Sequence, residues 1–491
     1  MKNIRSLIAL LLVGLTGVIG QTGSLVDRAI ILEETGKFRE AAAVLREGLT
    51  GGDSSQHLTL EFELDRLRRI RLDYSLTRDG LLTQLKKTVK DFTVDEFEQW
   101  MRDGWFDARM IDDTLRFIGV SRSNLFWRHP ELEQRRQPPK DESLVEGRTW
   151  EAALAIIKAS DSSGIATVLP KRFAVTMTVT VDADAVPAGK TVRAWLPVPR
   201  SYPHQKDLRI LSSSSPVKEL GADTASIRSA YMEEVAAAGH PTVFTLQYSY
   251  TAYGVHFRLD ENAVERASTS DPNLRQFTAE GPHVLFTDRI RKLSKKIVGP
   301  ETNPLKIARA IYRWISENLL YSYALEYSTI RNISDYCLTK GYGDCGQHAL
   351  LFITLCRYNG IPSRWQSGWY TFPGAKTIHD WAEIFLPPYG WIPVDPDMGV
   401  FSLRYFTSLS LENRKTLRDF YFGGLEQYRI AANSDYCQEL SPPKKFIRSD
   451  YVDFQRGEVE YDGGNIYFDQ TSYSLKIKEE PLPSTGTKTA Q

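Results

Sequence analysis

Cys345 stands at the predicted start of a helix, a position that can activate a thiol. The segment GYGDCGQHALLFITLCRYNG places Cys345 directly after Asp344, with Gln347 three positions after that aspartate. This is the pattern of a capping box at a helix start. Unpaired N–H groups and the positive end of the helix dipole favour an anion in the first turn. The pattern therefore predicts a stabilised thiolate at Cys345, with backbone donors nearby for an oxyanion.

The segment KTIHDWAEIFLPPYGWIPVDPD supplies a base and an acid for this nucleophile. Alternating apolar residues over 378–386 predict a strand, and the Pro-Pro-Tyr-Gly turn leads into a second strand over 391–395. If Phe385 pairs with Trp391, His379 and Asp395 are diagonal neighbours on one face of the hairpin. We expect His379 to take the thiol proton and Asp395 to orient the imidazole.

Three polar residues near this hairpin and helix offer alternatives. His348 lies one turn after Cys345 on the same helix, which gives poor directional control, so we expect a structural or supporting role. Asp397 falls directly opposite His379 in the same register, and spacing alone does not decide between it and Asp395. Glu383 could form an acid pair with Asp395, but nothing in the pattern favours glycoside chemistry.

The other three cysteines have different predicted roles. Cys356 follows Cys345 by eleven residues on the same helix, about 16 Å along the axis, and its apolar neighbours predict a core position. Cys337 and Cys437 could pair in an oxidising compartment. Four cysteines allow three full connectivities, between which the sequence does not choose.

Taken together, these residues match a known family. The stretch from about residue 304 to 399, through GDCGQHALL, GIPSRWQSGW and HDWAEIFLPPYGWIPVDP, resembles the transglutaminase-like superfamily, whose core is a papain-like cysteine fold. The resemblance implies Cys345 as nucleophile, His379 as base and Asp395 as orienting acid. It also implies an aromatic or Gln oxyanion donor upstream of the cysteine, for which Tyr321, Tyr323 and Tyr342 are all candidates.

The rest of the chain predicts an α+β protein of several parts. Helical spacing dominates the early residues, strict alternation begins at Phe173, and a Trp-Leu-Pro-x-Pro segment at Trp195 resembles the β-module that often precedes bacterial cores of this superfamily. The predicted organisation is a signal peptide at 1–20, a helical domain at 21–140, an antiparallel β-domain at 168–290, a catalytic core at 300–400, an α/β extension at 401–478 and a disordered tail at 479–491.

The first twenty residues predict export. MKNIR is charged, SLIALLLVGLTGVIG is apolar but short for a membrane span, and cleavage is expected near Gly20, with an uncleaved anchor as the alternative. No later segment is apolar enough to cross a membrane, so the mature chain is expected to be soluble, periplasmic or extracellular and, from the resemblance, bacterial. The 61 basic and 61 acidic residues balance, which argues against nucleic acid as a partner.

The sequence thus predicts a cysteine-dependent enzyme acting on a protein or peptide substrate. A Cys345 thioester with water as acceptor makes a protease or amidase, and with an amine it makes a crosslinking transglutaminase. The alternative is a non-catalytic module that binds peptide or cell-wall material. No cofactor or metal is expected, because the eight histidines are scattered and no Cys-x-x-Cys, P-loop or dinucleotide motif is present.

Overall fold

The computed structural model describes residues 24–51, 54–268 and 270–482. The predicted signal peptide, and the part of the predicted tail (479–491) that follows residue 482, lie outside the described residues. Internal contacts divide the chain into two compact units, one formed by Met1–Gln84 with Phe97–Ser121 and the other by Leu85–Glu96 with Arg122–Gln491. The mixture of helices and sheets confirms the α+β class.

The helices of the described residues are numbered in chain order. They are α1 (Leu25–Glu34), α2 (Phe38–Gly51), α3 (His57–Asp73), α4 (Arg78–Thr88), α5 (Val94–Arg102), α6 (Ser121–Arg128), α7 (Ser143–Ser163), α8 (Pro272–Arg275), α9 (Asp288–Val298), α10 (Pro304–Asn318), α11 (Ile333–Lys340), α12 (Cys345–Tyr358), α13 (Pro396–Arg404) and α14 (Leu411–Phe420).

The strands of the described residues are numbered in the same way. They are β1 (Ala108–Ile111), β2 (Thr114–Phe117), β3 (Thr167–Val181), β4 (Thr191–Pro197), β5 (Gln205–Ser213), β6 (Glu219–Leu220), β7 (Ser229–Val235), β8 (Thr242–His256), β9 (Leu320–Tyr321), β10 (Tyr342–Gly343), β11 (Ser363–Tyr370), β12 (Thr377–Leu386), β13 (Gly390–Val394), β14 (Gly424–Leu425), β15 (Arg429–Asn433), β16 (Glu458–Tyr461), β17 (Gly464–Ile466) and β18 (Thr471–Glu480).

The first unit is mainly helical and contains one hairpin. Helix α2 buries Phe38 and Leu45, as its helical spacing predicts. Strands β1 and β2 are joined by Asp112 and Asp113, which both have positive φ, 45° and 65°. Two positive φ values in a two-residue loop are typical of the tight turns that match strand twist. Arg39 lies 3.6 Å from the Asp112 carboxylate, which places a cation beside the turn.

Two five-stranded sheets of the second unit pack face to face. One has the order β14-β8-β3-β18 with β5 also paired to β8, and the other has the order β17-β16-β4-β7-β6. The alternation predicted from Phe173 appears as inward-facing side chains of β3 that reach Val181 and meet the second sheet in one apolar core. Strands from the end of the chain complete both sheets, and β18 pairs with β3 as far as Glu480.

A third sheet of the second unit, with the order β13-β12-β11-β15, packs with helices α9 to α13 around α12. Every residue of α12 from Cys345 to Arg357 is buried. Helix α10 has the bounds that its apolar face predicts, and Asn303 caps it by accepting from the N–H groups of Leu305 and Lys306. This packing fixes the start of α12 against β12.

None of the helices in the described ranges has both the length and the apolar character needed to span a membrane.

Candidate active site

The nucleophile position is built by the start of α12. Asp344 is the N-cap, and its side chain accepts a hydrogen bond from the N–H of Gln347 at 3.1 Å, as the capping pattern predicts. Cys345 is the first helical residue and keeps 8% of its surface exposed. The N–H groups of Cys345 and Gly346 fall in the first turn, where a helix offers no carbonyl to receive them. They are therefore positioned to bind an anion beside the sulfur.

Gly346 allows two side chains to approach this first turn closely. A Cβ atom at this position would lie 2.1 Å from the Tyr327 hydroxyl and 2.7 Å from Oδ2 of Asp380. Both distances are shorter than any normal contact, so only glycine fits without displacement. The glycine after Cys345 thus lets Tyr327 and Asp380 pack directly against the start of the helix.

The base and the orienting acid come from the predicted hairpin. Phe385 pairs with Trp391 and Ala382 with Val394, which confirms the register expected from the sequence. His379 lies on β12, and Asp395 follows the last residue of β13 and caps α13. The His379 Nε2 and Asp395 Oδ2 atoms are 2.7 Å apart.

This hydrogen bond sets the tautomer of His379. Burial alone would raise the pKa of Asp395, but His379 and Arg429 outweigh it and lower the pKa to about 2. Because an ionised carboxylate only accepts hydrogen bonds, the proton lies on Nε2 of His379. In the neutral ring Nδ1 then carries the free lone pair that can accept the thiol proton.

Cys345, His379 and Asp397 meet at one point. A sulfur atom, a ring nitrogen and a carboxylate oxygen of these residues all lie within 4.8 Å of one another. Zinc binds these donor types, but its ligand distances of about 2.0 to 2.3 Å bring neighbouring donors closer than the 4.0 Å between His379 Nδ1 and Asp397 Oδ2. We therefore interpret the cluster as a nucleophile with its base.

Asp397 and His348, the two alternatives from the sequence, form a pair of their own. His348 Nδ1 lies 2.9 Å from Asp397 Oδ1, and both side chains are buried. His348 thereby holds Asp397 on the Nδ1 side of His379, whereas Asp395 contacts Nε2. Glu383 lies away from this cluster and accepts hydrogen bonds from Arg364 and Gln366.

Arg429, on β15, is a site residue that the sequence did not reveal. Its Nη1 atom lies 2.7 Å from Asp395 Oδ2, and its Nε donates to Glu426 at 2.7 Å. A buried carboxylate needs such a partner, because an unpaired buried charge is strongly unfavourable. Arg429 follows Asp395 by more than thirty residues, and no local pattern marks it.

The thiol itself differs from the sequence-based expectation of a stabilised thiolate. Burial raises the pKa of the Cys345 thiol well above its ordinary value, and Asp380, Asp344 and Asp397 act in the same direction. The helix start provides donors, as predicted, but the surrounding carboxyl groups and the loss of water oppose ionisation. The resting nucleophile is therefore a neutral thiol.

All four cysteines are free, so the Cys337–Cys437 disulfide left open by the sequence does not form in this structure. Cys356 lies in the core at the far end of α12, as expected, and is fully buried. Burial raises the pKa of Cys356 above its ordinary value.

A narrow cavity of about 120 Å³ leads to Cys345 and His379. Its walls are mostly apolar or aromatic, and two glutamates from the start of α7 lie along it. The lining includes Glu142, Glu146, Tyr321, Tyr370, Met398 and Phe401. Apolar walls beside a few polar reacting groups are typical of enzyme clefts.

Residues 291–396 match the family model described as the transglutaminase-like superfamily. Two curated relatives also match: an uncharacterised protein of Haemophilus influenzae, 24% identical over 221 residues, and the uncharacterised protein YebA of Bacillus subtilis, 26% identical over 184 residues. The first match covers 40% of this chain and 59% of the relative, and the second covers 33% and 24%. The chain thus spans less than two thirds of the length of either relative.

Two solved structures are similar in part. A candidate cysteine protease from Cytophaga hutchinsonii shares 17% identity and a TM-score of 0.40, over 65% of this chain and 94% of that one. The periplasmic domain of TgpA from Pseudomonas aeruginosa shares 15% identity and a TM-score of 0.27, over 51% and 92%. Both scores are low, so the assignment depends on the family match. Cys345, His379 and Asp395 all lie inside the matched range, so residues 291–396 of this chain are identified as a transglutaminase-like superfamily domain.

Proposed function

We propose that the protein is an exported enzyme that transfers or hydrolyses acyl groups at peptide or carboxamide bonds through a Cys345 thioester. The observation that carries this proposal is the geometry of His379, which hydrogen-bonds Asp395 through Nε2 at 2.7 Å and has a ring nitrogen within 4.8 Å of the Cys345 sulfur. This is the arrangement of a nucleophile, a base and an orienting acid.

The proposed reaction proceeds in two steps. As the Cys345 sulfur attacks the carbonyl carbon, its proton passes to Nδ1 of His379, because the resting thiol is neutral. The imidazolium then gives this proton to the departing nitrogen, and a thioester remains on Cys345. Water or an amine, deprotonated by His379, attacks the thioester and restores the thiol. Asp395 stabilises the imidazolium throughout as a permanent anion.

Tyr321 is the best placed of the three aromatic candidates for oxyanion stabilisation. It lines the cavity with Cys345, whereas Tyr342 packs under the guanidinium of Arg128 at 4.5 Å and Tyr323 is 43% exposed. Burial raises the pKa of the Tyr321 hydroxyl well above its ordinary value, so it remains a donor. We propose that Tyr321 and the N–H of Cys345 bind the oxyanion.

A peptide-binding module without catalysis is the second candidate. The observation that favours it is the raised pKa of the Cys345 thiol, which is the reverse of a preformed thiolate. The two candidates differ in one result, because a binding module retains peptides without changing them.

The proposed function can be tested with the mature protein, a fluorogenic peptide library and a fluorescent primary amine. We expect product in the wild type and a loss of at least about 1,000-fold in Cys345→Ala, since removing the nucleophile of such a triad abolishes the covalent route. Cys356→Ala is the matched control, because it removes a thiol from the same helix far from the site. Release of peptide shows hydrolysis, and incorporation of the amine shows crosslinking. Binding without product in any condition would support the module.

Export remains a proposal that follows from the charged and apolar character of residues 1–20. Fractionation of cells that express the full chain tests it: we expect a shortened protein outside the cytoplasm, with an N-terminus near Gln21. An intact N-terminus would contradict cleavage.

A further inference from the structure

A third carboxyl group lies beside the nucleophile, in addition to those of Asp395 and Asp397 near His379. Asp380 follows His379 on β12, is 2% exposed, and places Oδ2 3.4 Å from the Cys345 sulfur. The first turn of α12 can approach it so closely because residue 346 is a glycine. Neither the family match nor the orienting role of Asp395 accounts for an acidic side chain at this position.

The hydrogen bonds around Asp380 leave its Oδ2 atom without a strong donor. Gln455 donates from Nε2 to Oδ1 at 2.7 Å. The Tyr327 hydroxyl lies 3.4 Å from Oδ2, but it has one proton and directs it to Asp344 Oδ1 at 2.7 Å. The resting Cys345 thiol is itself only a weak donor to Oδ2, so Oδ2 can hold a proton of its own and direct it toward the sulfur once the thiol proton has left.

The charges around Asp380 favour that proton. Asp453, Asp344 and Asp450 face it from other segments of the second unit, and burial together with these carboxyl groups raises the pKa of Asp380 well above its ordinary value. Among the described residues, no lysine or arginine forms an ion pair with Asp380. Arg456, the cation of this region, contacts Glu326 and Asp450 instead. A carboxylate without a partner at this depth would be very unfavourable.

We propose that Asp380 is a further catalytic residue, which donates a hydrogen bond from Oδ2–H to the Cys345 sulfur and stabilises the charge that develops there. The proposal rests on the proposed function, because it assigns a role in activation of the same thiol. When the Cys345 proton moves to Nδ1 of His379, the sulfur becomes an acceptor only, and Oδ2–H adds a donor on the side away from the imidazolium. Asp380 keeps its proton throughout, so no bond to it forms or breaks.

The rate of Cys345 alkylation by iodoacetamide, measured by peptide mass spectrometry from pH 5 to 10, tests this role without any substrate. We expect Asp380→Ala to slow alkylation at pH 7 by about tenfold or more, because a hydrogen bond to a charged group is lost. Asp380→Asn retains a neutral donor of the same shape, so we expect a rate within about threefold of the wild type. The alanine and asparagine variants thus separate loss of the donor from loss of the charge.

Asp435→Asn is the matched control, since Asp435 is a partly buried aspartate whose pKa burial raises, and it hydrogen-bonds Tyr436 and Gln438 instead of Cys345. We expect no change in its alkylation rate. Thermal melts confirm that each variant is folded, and the isosteric Asn variant keeps the test decisive if the Ala variant does not fold.

Faster alkylation in both Asp380 variants would overturn the proposal, because it would show that Asp380 is an anion that opposes the thiolate. An unchanged rate in Asp380→Ala, or equal slowing in both variants, would also overturn it. Failure of the proposed function gives a different result: Asp380→Ala would slow alkylation while the wild type still formed no product from peptides or amines.

Discussion

Two buried aspartates near the Cys345 sulfur, Asp395 and Asp380, are in opposite protonation states. On one side, Asp395 contacts His379 and Arg429 at 2.7 Å, and its pKa falls to about 2. On the other side, Asp380 has Gln455 as its close donor, and burial raises its pKa. Both carboxyl groups are almost completely buried. The comparison teaches that the nearest cation, and not the depth of burial, decides whether a buried aspartate is an anion or an acid.

The largest effect on activity is expected when Asp395, the anion beside His379, loses its charge. Asp395→Asn should lower kcat by about 10³- to 10⁴-fold, because an amide whose oxygen stays on the Met398 N–H turns its NH2 toward Nε2 and favours the wrong tautomer of His379. Asp397→Asn is the matched comparison and should lower kcat much less, since Asp397 contacts His348 and lies 4.0 Å from Nδ1 of His379. Steady-state kinetics on both variants measure this. A larger loss in the Asp397 variant would make Asp397 the orienting acid.

A smaller loss of activity is expected when Asp380, the carboxyl group beside the Cys345 sulfur, is displaced. Gly346→Ala places a Cβ 2.1 Å from the Tyr327 hydroxyl and 2.7 Å from Asp380 Oδ2, so both must move. Activity should fall by about 100-fold, as expected for a displacement of about 1 Å near reacting groups. Gly147→Ala is the control, because a Cβ on that helical glycine meets nothing within 4 Å. Equal activity in both variants would contradict the close packing at Gly346.

The comparison becomes sharper if Arg429, the cation beside Asp395, is removed. In Arg429→Met, burial is opposed only by His379 and the Met398 N–H, so the pKa of Asp395 should rise and the acid limb of the pH–rate profile should move to higher pH. We expect about tenfold lower kcat/KM near pH 5, with partial recovery above pH 7. Arg429→Lys keeps the charge and should restore most of the profile. A profile that does not change in the Met variant would show that Arg429 does not set the state of Asp395.

The smallest expected effect is on the pH dependence of the folding stability. The pKa of Asp395 in the folded protein is depressed to about 2. Its contribution to the free energy of unfolding is therefore present above about pH 4 and is lost as the pH falls toward 2. Burial raises the folded pKa of Asp453, so the folded chain holds that proton more tightly and stability falls as pH rises above about 4. Asp453→Asn keeps the acceptor for Ser367 and Phe454 but cannot ionise.

Thermal melts of this variant from pH 5 to 8 measure the effect. The Tm of Asp453→Asn should exceed that of the wild type by a few degrees at pH 8, with the gap closing toward pH 5. A constant difference at every pH would mean that Asp453 does not hold a proton in the folded protein.

The sequence predicted the parts of the site that depend on local pattern. The N-cap at Asp344 followed from a four-residue signal, and the pairing of Phe385 with Trp391 followed from alternation around one turn. Because strand pairing fixes which side chains share a face, that register was enough to bring His379 to Asp395. The predicted second strand ends one residue early, at Val394, because Asp395 caps the next helix.

The parts that the sequence did not predict depend on contacts between distant segments. Arg429 lies on β15 and Gln455 in a later loop, so residues beyond the predicted core at 300–400 hold Asp395 and Asp380 in place. The neutral state of the Cys345 thiol depends on its burial and on the carboxyl groups that the fold brings near it. The position at a helix start indicates hydrogen-bond donors near the thiol, but it gives no information on the carboxyl groups around it. The expectation of a thiolate was therefore wrong.

The most direct test of the central claim is detection of an acyl group on Cys345. The mature protein, mixed with peptide substrates and quenched in acid within a second, should carry a thioester adduct on the Cys345 peptide in intact and digested mass spectra. In His379→Ala the adduct should be almost absent, because the neutral thiol then lacks a base. No adduct in the wild type under conditions that yield product, or equal adduct in His379→Ala, would contradict covalent catalysis by Cys345 with His379.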